Sequence, residues 1–152
     1  MSQQNGSAPR IVTGVDGSPS SLAALRWAVR QAGLTGGTVD AVIAWQYPTS
    51  IGGFGLAPLA IPDGGFEEIA EKTIAEAIST AVDPGSDVHV STLVHEGNSA
   101  EVLLNAAAGA DLLVVGSRGH GGFAGALPGS VSQHCVQHAP CPVVVIRGSE
   151  TG

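Results

Sequence analysis

From residue 10 to residue 147, short runs of β-branched residues alternate with stretches whose apolar positions recur every three or four residues. The first pattern marks strands and the second marks amphipathic helices. Residues 10–15 make the first strand. Ser18 follows as a helix N-cap with Pro19 at the first helical position, and Leu22, Leu25, Val29 and Ala32 line one apolar face. Gly33 is the expected stop of this helix. Residues 38–45 are almost wholly apolar, as in a strand covered on both faces. Residues 46–65 are rich in glycine and proline and show no period, which predicts a lid or a disordered loop. Helical spacing resumes over 66–82, with Phe66, Ile69, Thr73, Ala77 and Ala81 as its apolar face. Val88, Val90, Thr92 and Val94 alternate within a third strand, 87–94. Asn98 and Glu101 form a capping-box signature that opens a short helix to about residue 108. A buried strand over 111–116, a helix over 130–139 and a last strand over 142–147 complete the chain.

The order β-α-β-α-β-α-β-α-β predicts an α/β fold, a doubly wound open parallel sheet of five strands with four helices. The 152 residues fit one domain over 10–147, with flexible tails at 1–9 and 148–152. Composition then narrows the function by exclusion. The formal net charge is −7, with Lys72 as the one lysine, so a basic footprint for nucleic acid or an anionic membrane is missing. No apolar run approaches the roughly 18–20 residues of a membrane helix. Residues 1–9 are polar and lack the apolar core of a signal peptide. The two cysteines, Cys135 and Cys141, fit a reducing compartment better than a disulfide scaffold. The expected location is the cytoplasm.

Residues 116–130 carry the chemistry. Six of these fifteen are glycine, and the segment runs from the carboxyl end of a buried strand into a helix N-terminus. Ligands of open α/β sheets bind at that edge, where the strand order reverses. Glycines let the backbone approach an anion, and the amides of Ser130, Val131 and Ser132 stand at the positive end of a helix dipole. Arg118 is the fixed cation of the loop, and His120 can supply a second. The chemistry this favours is phosphate binding. Plainer roles stay open: Ser130 with Gln133 is also an ordinary capping box, and Arg118 can be a solvated surface charge. A G-x-x-x-x-G-K-[ST] loop is absent. Residues 119–124 match G-x-G-x-x-A, but no helix opens directly behind them, as the dinucleotide fingerprint requires.

The spacing Gly116-x2-Gly119-x9-Gly129-Ser130 resembles the signature of the universal stress protein family. The opening IVTGVDGS (11–18), the segment 94–97 and the ending APCPVVVI (139–146) resemble that family as well. The resemblance implies a Rossmann-like sheet of order 3-2-1-4-5 that binds ATP or another adenine nucleotide, with or without magnesium. It implies that Gly116, Gly119, Gly129 and Ser130 hold phosphates and ribose, joined by Val131, Ser132 and Arg118. Asp16, with Gly14 and Val15, falls at the adenosine part, and Ala44 and Trp45 fall at the adenine wall. A carboxylate repels phosphate, so Asp16 belongs at the sugar or base, or on a bridging metal ion. It also reads as a simple helix-start acid beside Ser18, and Trp45 as ordinary packing. The resemblance further implies a homodimer paired through the last strand, Val143–Ile146, and a role as a stress-response regulator.

An enzymatic alternative uses the same site: a slow ATPase or a self-phosphorylating protein. Phosphoryl transfer wants a metal-holding acid, a positioned base and cationic clamps. Only Asp16, Arg118 and His120 offer themselves, so no catalytic residue is assigned. His134 and His138 lie one helical turn apart and can share a zinc ion, but a third ligand and the H-E-x-x-H glutamate are missing, so no metal site is assigned either. Cys135 and Cys141 read as small buried apolar residues.

Overall fold

Five strands pair in parallel in the order β3-β2-β1-β4-β5: β1 (Arg10–Gly14), β2 (Thr38–Trp45), β3 (Val90–Glu96), β4 (Leu112–Gly116) and β5 (Val143–Ile146). Four helices connect them: α1 (Pro19–Thr35), α2 (Gly65–Ala81), α3 (Ser99–Ala106) and α4 (Ser130–His138). This computed structural model describes residues 8–46, 65–117 and 130–147. Most of the two tails, the bulk of the connection 46–65, and Arg118, Gly119, His120 and Gly129 lie outside the described residues. The architecture is the expected doubly wound α/β sheet.

Strand alternation sends side chains to opposite faces, and each face carries its own core. Ile11, Val39 and Val114 pack with Ala24, Leu25 and Ala28 of α1 and with Ala70, Ile74 and Ala77 of α2. Val12, Val42, Leu113 and Val115 pack on the other side with Leu103 of α3 and Cys135 of α4. Covering both faces explains why the central strands read as continuous apolar runs. At the amino edge of the sheet, the Arg10 guanidinium donates to the Asp40 carboxylate at 3.2 Å and to the carbonyls of Ala106 and Ala108. The Asp111 carboxylate accepts from the Arg10 amide at 2.8 Å. This clasp ties the starts of three strands to the end of α3.

Where the structure departs from the sequence reading beyond an end residue or two, the cause lies in packing. Helix α1 runs past Gly33 to Thr35 and is closed by Gly36 in the left-handed region, φ 73°, with its amide on the Ala32 carbonyl. The reason lies next door: Gly37 abuts the Pro9 carbonyl, where an added Cβ would sit 2.6 Å away, so the turn into β2 is fixed there. Helix α2 buries Ala70, Ile74 and Ala77, while Ile69 is 54% exposed. Ala77 lies in the expected face and Ala81 packs against the core, but Ile69 turns to solvent and Ala70 and Ile74 take its place. Strand β3 begins at Val90 because pairing starts opposite Val39; Val88 packs beneath the core without joining the ladder.

These boundaries lead to a test by urea denaturation. Gly33 sits inside the helix with only ordinary contact at Val88, so Gly33→Ala is expected to stabilise by roughly 0.5–1 kcal/mol. Gly36→Ala meets open space but keeps a positive φ, and is expected to destabilise by about 1 kcal/mol.

Candidate functional site

Strand order reverses between β1 and β4, which leaves a crevice at their carboxyl ends. Beyond β1, the Val15 amide donates to the Val42 carbonyl at 2.8 Å, and the chain then turns sharply through Gly17, φ 83°. The turn is knitted by its own side chains. The Asp16 carboxylate accepts from the Ser18 amide at 2.9 Å and from the Ser18 hydroxyl at 2.6 Å. The Ser18 hydroxyl caps α1 by accepting from the Ser21 amide at 3.2 Å. The Asp16 amide donates to the Ser21 hydroxyl, which in turn donates to the Ser18 carbonyl. Asp16 thus does take the helix-start role that the sequence allowed, while also facing the crevice.

Gly116 stands where β4 meets the first turn of α1. A Cβ there would lie 2.5 Å from the Ser20 hydroxyl oxygen and 2.7 Å from the Ser20 carbonyl carbon. Because the obstacle is backbone, it cannot be relieved by a rotamer change. At Gly14 the obstacle is instead the tip of Leu103, 2.8 Å away.

These elements enclose a cleft of about 500 Å³, part of it open to solvent. Among the predicted site residues it brings together Gly14, Val15, Asp16, Ala44, Gly116, Val131 and Ser132. Trp45 is not part of the described lining and packs against the α1–α2 core. Arg118, Gly119 and Gly129 lie outside the described residues, and Ser130 is the first residue of α4. Ser21, Ser99 and Leu103 also line the cleft, and sequence reasoning did not name them. Ser99 was within reach, since it directly follows the N-cap Asn98. The lining draws on the first turns of α1, α3 and α4, so three positive dipole ends face one space. Among the described lining residues, Asp16 carries the only formal charge. The described part of the cleft thus sets helix-start amides and hydroxyls beside one carboxylate, donors and an acceptor for a polar ligand.

The alternative sites are weaker. The rings of His134 and His138 lie 4.6 Å apart between centroids, but no group of three or more metal-binding side chains occurs among the described residues. Burial pushes the Cys135 thiol up to about 11. Burial also raises Cys141, followed by the negative charge of Asp111, with Arg10 opposing. Neither thiol is activated.

Two outcomes follow. Gly116→Ala is expected to cost about 1–3 kcal/mol in urea denaturation, as overpacking against backbone does. Cys135 is wholly buried, so its alkylation at neutral pH is expected to be far slower in the folded protein than in denaturing urea; equal rates would contradict this.

A model described as "Universal stress protein family" matches residues 8–147. A universal stress protein of Mycobacterium tuberculosis is 37% identical over 139 residues, covering 90% of this chain and 43% of its own length. The chain thus spans less than half of that relative. Among solved structures, a universal stress protein in complex with cAMP is 25% identical with a TM-score of 0.65, covering 93% of this chain and 98% of its own. A universal stress protein from Archaeoglobus fulgidus in complex with dAMP is 25% identical with a TM-score of 0.61, covering 91% and 97%. With its sheet order, crevice and glycine spacing, this chain belongs to the universal stress protein family.

Proposed function

We propose that this protein binds an adenine nucleotide, ATP above all, in the cleft between β1 and β4, and acts through that binding as a stress-response regulator. The observation that carries the reading is the convergence of Gly14, Val15, Asp16, Ala44, Gly116, Val131 and Ser132 on one cleft at the strand reversal. The phosphates lie against the loop 116–130 and the first turn of α4, with Arg118, Gly119, Gly129 and Ser130 completing the cradle. Asp16 takes the sugar, and Val42 and Ala44 form the adenine wall. That the solved relatives above hold cAMP and dAMP supports an adenylate over other anions.

Magnesium fits the donor set. It favours one or two carboxylates together with phosphate oxygens, and Asp16 is the carboxylate at this cleft. When bound, the ion would neutralise phosphate charge. Any turnover is expected to be slow, because phosphoryl transfer wants a metal-holding acid, a positioned base and cationic clamps, and only Asp16, Arg118 and His120 offer themselves. In the cytoplasm, two copies pair through β5, whose Val145 is 40% exposed at the sheet edge.

Protein purified without added nucleotide and then heat-denatured is expected to release ATP or another adenylate, identified by mass spectrometry. In calorimetry, Arg118→Glu is expected to weaken ATP binding at least about tenfold, since a charge-assisted contact becomes a repulsion. Failure of the wild type to bind any adenylate would overturn the reading.

A further inference from the structure

We propose that Ser18 is a positioning residue for ligand recognition: its hydroxyl proton holds the Asp16 carboxylate in place at the wall of the cleft. The inference rests on the nucleotide reading, with Asp16 at the sugar, and adds to it the group that sets the carboxylate's orientation. Ser18 itself is buried, 4% exposed, and does not line the cleft.

A serine cap brings a hydroxyl proton as well as an acceptor. A cap needs only an acceptor for an orphan amide, and Asn, Asp, Thr and Gly all serve there with small differences. Ser18 meets that need with an oxygen lone pair, accepting from the Ser21 amide at 3.2 Å. Its one proton goes elsewhere, to Oδ1 of Asp16 at 2.6 Å, the short separation of a bond between a hydroxyl and a charged acceptor. The Ser18 amide adds a second bond to the same oxygen at 2.9 Å. The backbone of residue 16 is tied separately, through the Ser21 hydroxyl at 3.2 Å. Ser18 therefore restrains the rotation of the carboxylate itself. Fixing that rotation before the ligand arrives removes an ordering cost from binding.

The cap and the proton separate by substitution. Ser18→Gly and Ser18→Asn keep a competent helix start but remove the hydroxyl proton, whereas Ser18→Thr keeps both. Calorimetry with ATP and with 2′,3′-dideoxy-ATP then reads the sugar contact alone. The wild type is expected to prefer ATP by about tenfold, the size of a hydrogen bond to a charged group. In Ser18→Gly and Ser18→Asn, which keep the main-chain bond to Asp16, the preference should fall by at least about threefold, with dideoxy-ATP affinity nearly unchanged. Ser18→Thr should retain it. If the Gly and Asn variants fold and keep the tenfold preference, Ser18 only caps the helix and the inference is overturned. A wild type that binds both nucleotides equally also overturns it, while leaving the cleft as the nucleotide site. A wild type that binds neither removes the nucleotide reading and the inference together.

Discussion

The first turn of α1 lies against the last residue of β4 so closely that no side chain fits between them. The Ser20 backbone occupies the position that a Cβ on Gly116 would need. This contact brings the Asp16–Ser21 turn over the carboxyl end of β4 and closes one wall of the crevice that the strand reversal opens. The hydrogen bonds among Asp16, Ser18 and Ser21 can shape a binding surface only because the helix start is held at that distance. Gly116 accordingly has a reason to be glycine that is independent of any ligand. The family signature begins at a packing constraint.

Much of the fold was legible because binary pattern and turn chemistry agree along most of the chain. Strand β2 was read residue for residue, and both helix caps, Ser18 and Asn98, stand where expected. The misreadings occur where a local rule has two solutions. The end of α1 offers Gly33, Gly36 and Gly37, and the choice depends on how Gly37 seats against Pro9, a contact that no local pattern contains. In α2 the many alanines permit more than one apolar stripe, and only docking on the sheet selects Ala70 and Ile74 over Ile69. The alternation ahead of β3 extends to Val88, but a ladder starts where its partner strand does.

The site was legible where chain direction alone determines position. Residues ending β1 and β4, or opening α4, share the carboxyl edge in any sheet of this order, so Asp16, Gly116 and Val131 were within reach. Leu103 and Ser21 were not, because their place in the cleft depends on how deeply α3 and α1 sit against the sheet. Trp45 ends β2 at this edge and packs against the α1–α2 core, the plainer role the sequence also allowed.

A chain of net charge −7 gains nothing from long-range attraction to a polyanion. On the proposed reading, recognition comes from short-range donors such as main-chain amides and helix starts, acting within the roughly 8–10 Å over which salt leaves charge unscreened. The most direct test is an amide NMR titration with ATP. The account predicts shifts concentrated at residues 14–16, at Gly116 and Ser117 and in the first turn of α4, with the Arg10–Asp40 edge unmoved. Shifts centred on that opposite edge or along α2, or none at saturating ATP, would contradict it.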